Sequence, residues 1–203
     1  MKEKAVVYIH GKGGNDEGAK HYKTLFPDHD VIGFDYRAEK PWEAKEEFPS
    51  YFERIRKEYR SAILIANSIG AYFAMNADVG EKVEKAFLIS PVVDMEKLIK
   101  DMMAWAGVTE EELHQKKEIA TSFGETLSWD YYQYAKENPV KWNIPTHILY
   151  GERDNLTSLE TIRQFAEKTG ASLTVMPGGE HWFHTEEQMD FLDRWIRNIC
   201  KEN

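Results

Sequence analysis

The segment Ala62-Ile63-Leu64-Ile65-Ala66-Asn67-Ser68-Ile69-Gly70-Ala71 limits most tightly what this chain can fold into. The apolar run Ala62–Ile65 has the character of a strand buried on both faces. It leads straight into small-x-Ser-x-Gly, after which Ala71, Tyr72, Ala74 and Met75 belong to a helix. A strand that breaks into a helix across one serine forces that residue onto a sharp, strained turn. The turn lifts Oγ clear of the sheet and aims the following backbone N–H groups at the same point. Small residues are needed two before and two after the serine, where a larger side chain collides with a neighbouring strand or helix. Gly70 meets that demand; Ala66 stands where glycine is usual, a mild departure.

Short apolar runs alternate with amphipathic segments along the rest of the chain. Ala5–His10, Asp30–Asp35, Ala62–Ala66, Val83–Ser90, Thr146–Tyr150 and Ser172–Met176 read as strands. Pro91 ends the fourth, Gly151 breaks the fifth, and Pro177-Gly178-Gly179 stops the sixth. Helices are expected near Gly18–Phe26, through Phe48, Phe52, Ile55 and Tyr59, after Ser68, and over Ser158–Thr169. A closing helix runs from about Glu186 to Cys200, with Met189, Leu192, Trp195, Ile196 and Ile199 as its inner stripe. Strands nearly continuous in Val, Ile and Leu, separated by helices, imply an α/β fold. The expected form is a doubly wound, mostly parallel sheet of about six strands, with sites at the strands' carboxyl ends. The alternation lapses over Asp94–Asn143, where Met95–Gly107, Glu110–Lys117 and Asp130–Glu137 read as short helices. Residues 94–143 are therefore expected to form a helical lid, inserted between strands four and five of a single domain spanning 1–203.

With 203 residues the chain has the length of one domain and can bury about 70% of its unfolded surface. A net charge of −9 repels nucleic acid and anionic membranes, so neither is expected as a partner. Cys200, the single cysteine, can form no internal disulfide and fits a reducing compartment. The apolar stretch near Met1 is too short for a secretory segment. No run approaches the roughly eighteen apolar residues of a membrane span, so a cytoplasmic location is expected. The oligomeric state is not legible.

Three further segments complete the pattern begun at Ser68. They are His10-Gly11-Lys12-Gly13-Gly14 after the first strand, Tyr150-Gly151-Glu152-Arg153-Asp154 after the fifth, and Gly178-Gly179-Glu180-His181 after the sixth. Each alone is a weak signal. Together, at successive strand ends and in the order Ser, Asp, His, they resemble the α/β-hydrolase-fold serine hydrolases over nearly the whole length. The likeness is to a minimal version, beginning at what is usually the third strand of larger relatives. It implies a carboxylesterase-like enzyme that acts on a small-molecule ester or thioester without a cofactor or metal. Ser68 is then the nucleophile, His181 the base and Asp154 the acid that orients the imidazole. The oxyanion amides fall on Ile69 and on Lys12, with Gly13 as the alternative to Lys12. A thioesterase, amidase or acyltransferase needs the same residues, and a non-catalytic small-molecule receptor keeps the same fold.

Each residue has a plainer role open to it. Ser68 fits an ordinary N-cap, and Asp154 a turn residue ahead of Ser158. Asp94, after the fourth strand, competes with Asp154 for the acid. His184 lies three residues past His181, at the start of the last helix, where a capping role suits it. His10 reads as a structural hydrogen-bonding residue, and His21, His29, His114 and His147 as scattered residues without partners. Glu180, His181 and His184 lack the spacing of a zinc site, and the Gly11–Gly14 loop lacks that of a nucleotide site. Trp105, Phe123, Trp129, Tyr131, Tyr132, Tyr134 and Trp142 crowd the insertion. Most are expected to give a short lid its core. Trp129, with Trp182 and Phe183 beside the base, is expected to line an apolar pocket over Ser68.

Overall fold

The computed structural model describes residues 2–80 and 83–201. Six strands, β1 (Lys2–Ile9), β2 (Asp30–Gly33), β3 (Tyr59–Asn67), β4 (Lys85–Ile89), β7 (Thr146–Gly151) and β8 (Ser172–Met176), form one sheet in the order β2-β1-β3-β4-β7-β8. Every pairing in it is parallel. Side chains alternate across each strand, which is why near-continuous apolar strands can feed two cores. Ala5, Val7, Ile9, Leu64, Ala66 and Leu88 face one side, where they pack with α2 (Pro41–Glu58) and α3 (Ile69–Asn76). Val6, Tyr8, Ile63, Ile65, Phe87 and Leu149 face the other, against α1 (Ala19–Tyr22) and α8 (Glu186–Lys201). The expected doubly wound sheet is the observed one.

Two boundaries moved for identifiable reasons. The first helix is only the four residues of α1, preceded by a 3-10 turn at Asp16–Gly18. Phe26 precedes Pro27, which disfavours helical backbone there. Tyr59, in helical register with Ile55, instead opens β3. Its backbone is extended, it pairs with Lys2, and its hydroxyl donates to Asp30 at 2.8 Å.

The insertion holds α4 (Met95–Ala106), α5 (Glu110–Lys116) and α6 (Trp129–Glu137), close to the expected helices. It also holds a hairpin absent from the sequence reading, β5 (Glu118–Ala120) against β6 (Thr126–Ser128). Strands of three residues carry too little alternation to be legible. The remaining helix, α7 (Leu159–Thr169), is capped by the Ser158 side chain. Among the described residues no helix is long and apolar enough to cross a membrane.

Candidate active site

Ser68 sits where β3 ends and α3 begins, with φ 50° and ψ −121°. Non-glycine residues hold such a conformation only where surrounding structure imposes it. Here the Ser68 amide donates to the Ile89 carbonyl at 3.0 Å, and its own carbonyl accepts from Val92 and Ala71. The side chain makes no cap bond to α3, so the N-cap role falls away. Small neighbours permit the turn. A Cβ at residue 70 would lie 2.2 Å from the His10 carbonyl oxygen, and one at residue 11 would lie 3.2 Å from Ser68 Cβ. Glycine at both positions lets the loop after β1 close on the serine.

Ser68 Oγ lies 2.8 Å from His181 Nε2, and His181 Nδ1 lies 2.7 Å from Asp154 Oδ2. The Asp154 side chain is fully buried, and that of His181 keeps 19% exposure. A carboxylate only accepts, so His181 Nδ1 carries the proton and Nε2 is left to accept from the serine hydroxyl. The other carboxylate oxygen of Asp154 accepts from the amides of Leu156 and Thr157 at 2.8 and 3.0 Å. Tyr150 braces this loop: its hydroxyl donates to the Thr157 carbonyl at 2.7 Å. Burial, and then the Asp154 charge, push that hydroxyl up to about 12, so it remains a donor.

The rival assignments separate cleanly. The Asp94 carboxyl caps α4, accepting from the Lys97 amide at 2.9 Å. His184 bonds the Trp182 carbonyl through Nδ1 at 2.7 Å and stacks on the Trp182 ring. His10 bonds the Gly11 carbonyl and stacks on Tyr36. Among the described residues, no three His, Cys, Asp or Glu side chains are grouped to hold a metal ion. The Ile69 amide opens α3, where first-turn amides lack an intrahelical acceptor. The Lys12 side chain reaches to Glu125 in the β5–β6 turn, 2.6 Å away, and so ties the β1 loop to the insertion.

A pocket of about 590 Å³ opens beside Ser68 and His181. Gly11, Lys12 and Gly13 lie along it, with Tyr8, Tyr22, Ile89, Leu156, Phe183, Met189 and Leu192 as apolar walls. Trp182 is part of its lining and is 71% exposed. Trp129 is not. It packs inside the insertion, tilted against His114 and Tyr132 at 4.5 and 5.8 Å. The pocket lies toward α1 and α8; Trp182 and Phe183 line it as expected, and residues 94–143 contribute nothing to its lining. His21, expected to be a scattered residue without a partner, has a place in the site that no local pattern marks. It lines this pocket, and its Nε2 lies 2.7 Å from Asp193 Oδ1 of α8.

Sheet order, serine elbow and neighbouring structures agree. The chain has the α/β-hydrolase fold. Alpha/beta hydrolase domain-containing protein 10 from mouse superposes with a TM-score of 0.77 at 16% identity, over 98% of this chain and 90% of that one. Est1E from Butyrivibrio proteoclasticus gives 0.75 at 16% identity, over 100% and 89%. At such identities the likeness is one of fold. No protein-family model matches the chain. A Mycoplasma genitalium protein named "Putative esterase/lipase 3" is 35% identical over 75 residues, which is 36% of this chain and 27% of that protein. The shared stretch thus spans about a quarter of the relative's length.

Proposed function

We propose that this α/β-hydrolase-fold chain is a serine hydrolase that cleaves a small carboxylic ester through an acyl-enzyme. One observation carries the reading: the unbroken line from Ser68 Oγ through the His181 imidazole to the buried Asp154 carboxylate. His181 takes the hydroxyl proton as Ser68 Oγ attacks the ester carbonyl, then gives that proton to the departing alkoxide. A water molecule, deprotonated by the same imidazole, attacks the acyl-serine, and collapse of the second tetrahedral intermediate returns the proton to Oγ. Asp154 holds the tautomer and stabilises the imidazolium. The amides of Ile69 and Lys12 meet the oxyanion, an interaction whose loss typically costs about 10²–10³ in kcat. The esterase names of a solved neighbour and of the partial relative support this class. The cytoplasm is the proposed location, on the acidic charge and the lone cysteine.

A fluorophosphonate probe tests the reading. The expected result is covalent labelling of the wild type, none of a folded Ser68→Ala variant, and turnover of p-nitrophenyl acetate by the wild type alone. Equal labelling of the two proteins removes Ser68 from the chemistry. Esters and thioesters of graded acyl length, run on both, then rank the substrate classes that this machinery serves.

A further inference from the structure

We propose that His21, oriented by Asp193, selects substrates whose apolar arm ends in a hydrogen-bond donor such as a hydroxyl; the proposal deepens the hydrolase reading and rests on it. The two residues come from opposite ends of the chain, α1 and α8, and meet at the wall of the pocket that contains Ser68. Asp193 is mostly covered, with 18% of its side chain exposed, and Arg197 one turn later in α8 lies 3.5 Å from its second oxygen. The carboxylate can only accept, so the proton of the neutral imidazole sits on Nε2. His21 Nδ1 is thereby left as an acceptor, and it has no partner among the described residues. The ring stands edge-on to Tyr22 at 5.1 Å.

The surroundings give that lone pair its selectivity. Tyr8, Tyr22, Met189 and Leu192 supply apolar wall. The Lys12 ammonium is engaged by Glu125, while the Tyr8 hydroxyl accepts from Asn67 Nδ2 at 3.3 Å and keeps its own proton to donate. A group entering beside His21 meets, on a mainly apolar wall, a ring nitrogen that can only accept. An arm ending in O–H satisfies it. One ending in a methoxy group has no proton to offer that nitrogen. His21 keeps 34% of its side chain exposed, so the selectivity comes from the bond that the hydroxylated arm gains and the methoxy arm lacks.

The experiment uses two methyl 3-arylpropanoates, differing by a 4-hydroxy or a 4-methoxy group on the ring. It is run at pH 8, above the ordinary range of imidazole. Wild type is expected to prefer the hydroxylated ester by roughly tenfold in kcat/KM, the size of one good neutral hydrogen bond. His21→Phe removes the acceptor and brings the ratio near one. Asp193→Asn frees the tautomer, lets Nδ1 donate, and moves the ratio the same way. Binding of the two intact esters to Ser68→Ala, read by calorimetry, is expected to show the wild-type order without any turnover. A wild-type ratio near one, or a preference that survives both substitutions, overturns the proposal. If the wild type cleaves neither ester, the calorimetric ratio decides alone: selective binding upholds the His21 assignment and equal binding sinks it, while the hydrolase reading stands or falls on fluorophosphonate labelling of Ser68.

Discussion

His181 Nδ1 and Asp154 Oδ2 lie 2.7 Å apart, while the other oxygen of the same carboxyl is held by two backbone amides. That division of labour predicts the outcome of Asp154→Asn. The Leu156 and Thr157 amides demand an acceptor, so the new side-chain carbonyl turns to them and the NH₂ group faces His181. A donor facing Nδ1 forces the proton onto Nε2, the wrong tautomer for accepting from Ser68. The expected loss is about 10⁴ in kcat with a nearly unchanged melting temperature. Ester hydrolysis and thermal unfolding, measured on one preparation, check both halves.

Gly70→Ala asks whether the elbow tolerates one methyl group. The added Cβ would sit 2.2 Å from the His10 carbonyl oxygen, a backbone atom that cannot step aside. Either β1 or the elbow must move, at a cost of about 1–3 kcal/mol. Denaturant midpoints are expected to fall accordingly, and fluorophosphonate labelling to slow with them. Gly107→Ala is the control: its φ of +65° is strained for alanine but meets no atom within 4 Å. It is expected to cost stability without slowing the labelling.

The sequence disclosed the sheet, the serine elbow and the residues that line up with it, because each follows the carboxyl end of a strand closed by a glycine- or serine-containing turn. Strand ends are short-range features. Ser68, Asp154 and His181 could be read from the few residues before them. The pocket could not. Its walls come from β1, α1 and α8, and the pairing of His21 with Asp193 joins opposite ends of the chain. No local periodicity encodes such a meeting. The concentration of aromatic residues in the insertion pointed to Trp129, but those rings mainly supply packing that a small, helix-and-hairpin segment otherwise lacks.

The Lys12–Glu125 pair joins the β1 loop to the β5–β6 turn, yet both side chains remain substantially exposed. Exposed pairs contribute little, since solvent and salt screen them. A double-mutant cycle through Lys12→Ala and Glu125→Ala is expected to give a coupling below about 1 kcal/mol, vanishing at high ionic strength. A larger or salt-resistant coupling would mean that the two loops form one cooperative unit.

His29 predicts a stability slope on the mildly acidic side. Burial, and then the Lys4 charge, hold its imidazole below the usual 6.5, against smaller opposing effects of Glu84 and Asp28. Its Nδ1 is buried with no hydrogen-bond partner among the described residues. The unfolded chain therefore takes up this proton first as pH falls, so the contribution is present above pH 6.5 and shrinks below it. Urea midpoints between about pH 7.5 and 5.5 are expected to decline in the wild type and to decline less in His29→Asn. Parallel declines would assign the slope to other groups.

Trp129 and Trp182 give opposite expectations, because one builds the insertion and the other borders the pocket. Trp129 packs against His114 and Tyr132, and the Lys117 ammonium lies 5.6 Å from its ring centroid. Trp129→Ala thus opens a void, and the expected result is a loss of about 2 kcal/mol with KM for short esters unchanged. Trp182 is 71% exposed and stacks on His184 at 4.3 Å. Trp182→Ala leaves stability within about 0.5 kcal/mol but takes a ring from the wall next to His181. KM for apolar esters is expected to rise several-fold. Steady-state kinetics over several acyl lengths, run beside urea titrations, separate the two residues. A KM effect at Trp129 with none at Trp182 would move the substrate to the insertion side of Ser68.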